Sequence, residues 1–450
     1  MMNILVAGNG LMAVRVVDAL MQRHQVTCLH PEDGQAWQLE QLDAEFVTGE
    51  ITSPVSLADA RVSSADVFIA CSNNDEQNIV ACMAARRLGA KKTICVLMRK
   101  GILSKHAEGT ELARSLGIDQ VVRPIDQLAE EMLAIILVPG ALEVRRVADG
   151  RLSLFRYAIA PGSDASGKEL SALKLPQNTR MVHLRRGEQF IVPRGNTKLQ
   201  AGDKLIAMGF HDSLSRLGPI LGAAKRPRRE AAVVGGGRVG RAVTRGLIRA
   251  GWQVKVIDSD RDRCELIAEK TNALVLHGDG TDLEFLEQEQ VGEVPVVVAV
   301  TSSDERNLLV SLVVKQLGNS RVITRADRYS NERLFEKVGV DVVRSAKGAA
   351  IRTIISDVDT HESEIHAELE HGDARVLEIE VSAQAKKLPM TQLNPPASAV
   401  VGAILRGNQV LIPGGKDVIL AEDHLFVFCA RADEDDTRQY FADPQAAELS

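Results

Sequence analysis

The chain has 450 residues, a length that calls for about three or four domains rather than a single core. An apolar fraction of 45% and a charged fraction of 25% are those of a globular protein, while 3% aromatics provide no stacking platform for bases. A formal net charge of −6 leaves no basic footprint for nucleic acid or anionic lipid. No apolar run reaches the ~18 residues needed to cross a bilayer, so direct membrane insertion is not expected. The six cysteines (Cys28, Cys71, Cys82, Cys95, Cys264, Cys429) are scattered without metal-ligand spacing and read as core thiols. With no signal-peptide pattern at the N-terminus, they suit a reducing cytoplasm.

Residues 3–10, NILVAGNG, form an apolar strand that runs into a glycine turn. Short apolar strands then alternate with amphipathic helical stretches, the pattern of βαβ units around a parallel sheet. From residue 139 the character changes to short β-patterned runs broken by Gly, Pro and Asn. Residues 223–230, AAKRPRRE, read as a solvated linker, and at 231–237 a second apolar strand enters a second glycine turn, AAVVGGG. The chain is a tandem duplication. CSNNDEQN at 71–78 mirrors TSSDERN at 301–307, with Asp75 and Asp304 offset by 229. LGIDQVVRP at 116–124 mirrors VGVDVVRS at 338–345, and RRGEQFIVPRG at 185–195 mirrors LRGNQVLIPGG at 405–415. AGDKLIAMG at 201–209 mirrors AEDHLFVFC at 421–429. The predicted architecture is α/β: two doubly wound parallel-sheet Rossmann domains, each followed by a small β-rich α+β lobe. The expected domains are residues 1–138, 139–222, 231–360 and 361–432, with a tail at 433–450.

Each glycine turn has the chemistry of a dinucleotide fingerprint. Gly8-Asn9-Gly10-Leu11-Met12-Ala13 fits G-x-G-x-x-A, and Gly235-Gly236-Gly237-Arg238-Val239-Gly240 fits G-x-G-x-x-G. Glycine is needed because a side chain would hold the backbone away from a pyrophosphate, which the next helix N-terminus attracts. The residue that decides between the halves is the acid ending the second strand, which accepts from ribose hydroxyls. The second half has Asp258 there, followed by Asp260; the first half has His30, with Glu32 two residues on. The second site is therefore the better equipped, and the first looks eroded. Arg261 and Arg263 suit a 2′-phosphate, but Asp258 would repel one, so NAD or an adenosine phosphate (ATP or ADP) is preferred to NADP. After the third strand, Asp279 in GDGT and Glu50 in GEIT offer a carboxylate to an adenine amine, or simply close a solvated turn.

Two such units, each with a glycine turn, a GD-type turn and a T/S-x-x-D-E-x-N stretch, resemble the TrkA family. Its members are cytoplasmic nucleotide-binding regulators of Trk-type potassium uptake, built from tandem domains that regulate K⁺ conductance. The resemblance covers roughly residues 2–430. It implies binding of NAD(H) or ATP/ADP, assembly of copies into a ring, and docking at the inner face of the plasma membrane on a membrane potassium transporter. By position it adds Thr301 and Arg325 to the second site, with the arginine approaching a phosphate; the first half has Val96 opposite Arg325.

An enzyme reading, a soluble NAD-dependent oxidoreductase, finds no support in the motifs. There is no nucleophile elbow, Walker lysine or metal-binding histidine pair. His361, His366 and His371 are spaced five apart, which does not stack them on one helix face, so that segment reads as solvated and no metal is expected. Asp75-Glu76 and Asp304-Glu305 fall where helix capping and dipole compensation account for them. A ligand-sensing regulator of a different transporter is the other alternative.

Overall fold

The computed structural model describes residues 1–442 apart from 22, 33–41, 43, 100, 102, 104–106, 149, 188, 225–227, 360–364, 370–373 and 386. The chain starts with β1 (Asn3–Ala7), α1 (Leu11–Leu20), β2 (Gln25–His30), β3 (Glu45–Thr48), α2 (Pro54–Asp59) and β4 (Val67–Ala70). Then come α3 (Asp75–Arg87), β5 (Lys92–Val96), α4 (Ala107–Ser115), β6 (Gln120–Val122) and α5 (Pro124–Leu137). The strands pair in parallel in the order β3-β2-β1-β4-β5-β6, the doubly wound arrangement with its crevice between β1 and β4.

The first lobe comprises β7 (Ala141–Val147), β8 (Leu152–Ala158), β9 (Thr179–Arg186), β10 (Gln189–Ile191), β11 (Lys204–Gly209), α6 (His211–Ser215) and α7 (Gly218–Leu221). Its antiparallel sheet runs β10-β9-β11-β8-β7.

The second half repeats the first as β12 (Glu230–Val234), α8 (Arg238–Arg249), β13 (Gln253–Asp258), α9 (Arg261–Lys270), β14 (Leu274–His277), α10 (Leu283–Gln288) and β15 (Val296–Ala299). It continues with α11 (Asp304–Leu317), β16 (Arg321–Arg325), α12 (Tyr329–Lys337), β17 (Val342–Arg344) and α13 (Ala346–Asp359). The sheet order is again β14-β13-β12-β15-β16-β17. The second lobe holds β18 (Ile365–Leu369), β19 (Ala374–Glu380), β20 (Leu388–Pro389), β21 (Val400–Arg406), β22 (Gln409–Leu411), β23 (Val418–Ile419), β24 (His424–Ala430) and α14 (Glu434–Ala442). Its main sheet, β18-β19-β24-β21-β22, has the connectivity of the first lobe.

The duplication extends to backbone detail. Arg61 and Gln290, 229 apart, both take left-handed φ, at 55° and 53°. In the lobes, Arg186 grips Asp203 through two bonds of 2.8 Å, and Arg406 grips Asp423 at 2.7 and 2.8 Å. Both carboxylates are buried and also accept a backbone N–H, from Gln200 and Leu420. The AGD and AED turns seen in the sequence are the anchors of these bidentate pairs.

Two compact units result: residues 1–132 with 230–358, and residues 133–229 with 359–450. In the first, the central strands are buried on both faces, as the all-apolar VVVA of β15 requires. The two Rossmann halves share a core, because Ala350, Ile354, Ile355 and Val358 of α13 pack with Met2, Val17, Leu20 and Val26. Full burial of each such Ile or Val contributes about 1.5–3 kcal/mol. Arg352 adds a two-pronged ion pair to Glu131 of α5, with its Nε at 3.0 Å.

In the second unit the two lobe sheets pack face to face, joining Leu154, Val182 and Met208 to Val376, Ala403 and Phe428. A Cβ on Gly402 would lie 2.5 Å from Met208 Sδ, so a larger residue there requires that side chain to shift. His183 is fully buried in this seam, stacked on Phe190 and Phe428 at 3.9 and 5.3 Å, and neither ring nitrogen has a hydrogen-bond partner among the described residues. Burial, with Arg185 assisting, pushes its pKa down from 6.5 to about 3. The folded state thus refuses a proton that the unfolded chain accepts. His183 costs nothing above pH 6.5, and stability falls as pH drops from 6.5 toward 3, at about 1.36 kcal/mol per unit. Urea unfolding at pH 7.5 and 5.0 should show wild type losing about 2 kcal/mol more than His183→Leu; identical losses would exclude the histidine as the cause.

All six cysteines are buried free thiols, and burial raises Cys28 and Cys429 to about 12. Cys28 and Cys429 are core residues without nucleophilic character at neutral pH.

Candidate functional site

At the carboxyl ends of β12, β13 and β15 the second half has a cavity of about 220 Å³. Its floor is the glycine turn between β12 and α8. Gly235 has φ +109°, and a Cβ there would lie 2.8 Å from the backbone of Val300 and Thr301, so the turn admits only glycine. Gly237 faces open space, which is the surface a phosphate needs. Arg238 and Val239, the first residues of α8, also line the cavity. Gly236 and Gly240 do not line it. Gly236 lies beneath Asp258, and a Cβ on Gly240 would meet Gly235 O at 1.8 Å, so it lets the helix sit against its own turn.

Asp258 ends β13 and is buried. Its Oδ2 accepts the Gly236 N–H at 2.6 Å and its Oδ1 accepts the Asp260 N–H at 2.8 Å. The acid read from the sequence as a ribose acceptor is therefore also the clamp that shapes the glycine turn. Arg263 approaches it at 3.4 Å while bonding Asp260 at 2.8 Å, so this guanidinium is already engaged by carboxylates. Asp279 caps its own turn, accepting from Thr281 N and Oγ1 at 2.9 and 2.8 Å; these bonds hold its carboxyl below the usual range. Thr301 and Arg325 line the cavity as well. Arg325 is held by Asp327 at 2.8 and 2.9 Å, so reaching a phosphate would mean sharing this carboxylate.

Two contributors escape sequence reading. Arg306, on the first turn of α11, lines the cavity with no hydrogen bond or ion pair to its guanidinium among the described residues. Ile125, from the start of α5 in the other half, closes one side. Nothing in a linear motif pairs residue 125 with the turn at 235.

In the first half the same positions are differently filled. Gly8, Asn9 and Gly10 form the turn, but the Asn73 amide covers Gly10, within 3.1–3.2 Å of where a Cβ would be. His30 ends β2, buried, its Nδ1 3.0 Å from Pro31 O, and Glu50 is exposed. Ile51 is buried beside Ala7 where the second half pairs Gly280 with Val234; a Cβ on Gly280 would lie 2.2 Å from Val234. The first pair is the larger, and it puts a bulky side chain where Gly280 leaves cavity.

The paired acids after β4 and β15 do not cap their helices. Asn74 and Ser303 are the N-caps, accepting from Gln77 N at 3.0 Å and Arg306 N at 3.2 Å. Asp75 instead accepts Met98 N and Arg99 N, both at 2.7 Å, and Asp304 accepts Asp327 N at 2.7 Å. These carboxylates tie the loop after the next strand, so capping was the wrong reason for them. His361 and His371, and the side chain of His366, lie outside the described residues. Among the described residues no group of three or more His, Cys, Asp or Glu could hold a metal ion.

Comparison with known proteins follows the same division. The TrkA-N domain family matches residues 4–124 and 231–346, and the TrkA-C domain family matches 154–222 and 378–442. A Trk system potassium uptake protein TrkA homolog of Archaeoglobus fulgidus is 33% identical over 439 residues, covering 96% of this chain and 98% of that protein. The Trk system potassium uptake protein TrkA of Haemophilus influenzae is 27% identical, covering 95% of each chain. The crystal structure of the GsuK RCK domain superposes with a TM-score of 0.60 at 21% identity, over 98% of this chain and 95% of that one. The GsuK channel bound to NAD superposes equally, at 0.60 and 20%, over 98% of this chain and 79% of that one. Both Rossmann halves and both lobes are matched in order, and the chain belongs to the TrkA family.

Proposed function

We propose that this chain is a non-enzymatic, nucleotide-binding regulatory subunit that gates a membrane potassium transporter. The observation that carries the reading is the second-half cleft. It combines an open glycine turn, a buried carboxylate at the end of β13 and the guanidinium of Arg306, whose charge also acts on Asp279, in one cavity. The relatives named as Trk potassium uptake proteins supply the transporter, and the NAD-bound GsuK channel supplies NAD as the first ligand to test, ahead of ATP and ADP. In the second cleft Asp258 would accept from ribose hydroxyls, Gly237 and the α8 N-terminus would receive the pyrophosphate, and Arg306 would neutralise it. Copies of the chain would assemble as a ring at the cytoplasmic face of the membrane, joined to the transporter. No helix is long and apolar enough to cross the membrane, among the described residues.

Ligand shifts such an assembly only through differential affinity for its two states, and a 100-fold preference supplies about 2.7 kcal/mol per site. A thermal-shift panel of NAD⁺, NADH, ATP and ADP tests the reading, since a specific ligand stabilises by mass action. One or more should raise the melting temperature saturably, and potassium uptake by cells carrying the transporter should respond to Asp258→Ala. Steady NADH oxidation by the purified protein with a carbonyl substrate would replace the regulator with an oxidoreductase.

A further inference from the structure

Beside the nucleotide cleft lies a second cavity, of about 190 Å³, between α8 and α9 and closed by the start of α5. Its wall on α8 carries Arg238, Arg241 and Arg245, spaced at i, i+3 and i+7 so that they share one face of the helix. Lys270, at the end of α9, completes four cations against one carboxylate, Asp126. None of the four has a side-chain hydrogen bond or ion pair among the described residues. Thr244, on the same wall, is fully buried, and its hydroxyl has no hydrogen-bond partner among the described residues.

The fold does not demand this lining. In the first half the matching positions on α1 are Leu11, Val14, Val17 and Asp18. There α13 seals the equivalent junction with Ile354, Ile355 and Val358 in one continuous apolar core. The second junction has the same backbone plan but is cationic and hollow. Like charges three and four residues apart on α8 repel weakly, and an anion between them relieves that repulsion.

We propose that this cavity is a second ligand site, for a small multivalent phosphate-bearing anion, distinct from the nucleotide cleft. The four cations set against Asp126 leave an excess of three positive charges, matched by a diphosphate group. Guanidinium forks suit phosphate oxygens. The anion would bridge the halves, joining α5 of the first to α8 and α9 of the second. Arg238 and Ile125 line both cavities, so occupancy of one site changes the affinity of the other, and reciprocally. Binding itself does not depend on the nucleotide reading; only the coupling does.

The experiment is calorimetry of the full chain with inorganic pyrophosphate, alone and with saturating NAD⁺. With NAD⁺ filling the nucleotide cleft, pyrophosphate should still bind once per chain, with an affinity changed by NAD⁺ but not abolished. The double variant Arg241→Gln/Arg245→Gln should lose at least tenfold in pyrophosphate affinity. These side chains are half-buried and exposed, so the fold should survive, which circular dichroism checks. No binding to wild type, full displacement by NAD⁺, or an unchanged affinity in the double variant each overturns the proposal. Failure of NAD⁺ to bind would sink the nucleotide reading alone, leaving the pyrophosphate titration to decide this one.

Discussion

Asp258→Ala is expected to weaken nucleotide binding by roughly 10- to 150-fold, the range set by hydrogen bonds to a charged acceptor at about 1.5–3 kcal/mol. Two losses combine. The ribose hydroxyls lose their acceptor, and the amides of Gly236 and Asp260, now held at 2.6 and 2.8 Å, lose theirs. The turn that must receive the pyrophosphate is thus loosened by the same substitution. Asp258→Asn keeps an acceptor oxygen without the charge and should fall between the two. His30→Ala is expected to change affinity less than about threefold, because the first cleft lacks a strand-end acid and has Asn73 over Gly10. Calorimetry with NAD⁺ and ATP on the three variants checks this, and comparable losses from Asp258→Ala and His30→Ala would remove the asymmetry between halves.

That asymmetry was half visible in the sequence. The duplication, the parallel sheets and the glycine turns follow from apolar periodicity and local spacing, which a linear reading measures directly. His30 opposite Asp258 follows too, because both residues close a strand at a fixed distance from the turn. What obstructs the first cleft does not follow. Asn73 reaches Gly10 only because β1 and β4 are neighbours in the sheet, and Ile51 is buried in one core cluster with Ala7 where the second half has Gly280 against Val234. Ile125 joins the second cavity through packing of one half on the other, which no repeat offset encodes. The acids Asp75 and Asp304 were legible as helix-start residues but not as acceptors for the loop after the next strand, a contact 23 residues away in each half.

Gly240→Ala should be the most disruptive single methyl in the second half. Its Cβ would come within 1.8 Å of Gly235 O, a backbone atom of the nucleotide turn that cannot rotate out of the way. Either α8 moves off the turn or the turn opens, and overpacking of this kind costs about 3 kcal/mol or more. Because Gly235 O belongs to the turn that Asp258 clamps, nucleotide binding should be lost even where the variant remains folded. The first half provides the control within the same chain. Ala13 occupies the matching position, fully buried, and its turn accommodates the methyl with Gly8 at φ +158° where Gly235 takes +109°. Ala13→Gly should therefore cost only about 1–2 kcal/mol, from chain entropy and the loss of one buried methyl, and leave nucleotide affinity unchanged. Urea unfolding together with calorimetry separates the two effects. A folded Gly240→Ala protein that binds nucleotide normally would mean that the second turn adopts the open form of the first, and that close packing of α8 on Gly235 is not what shapes the site.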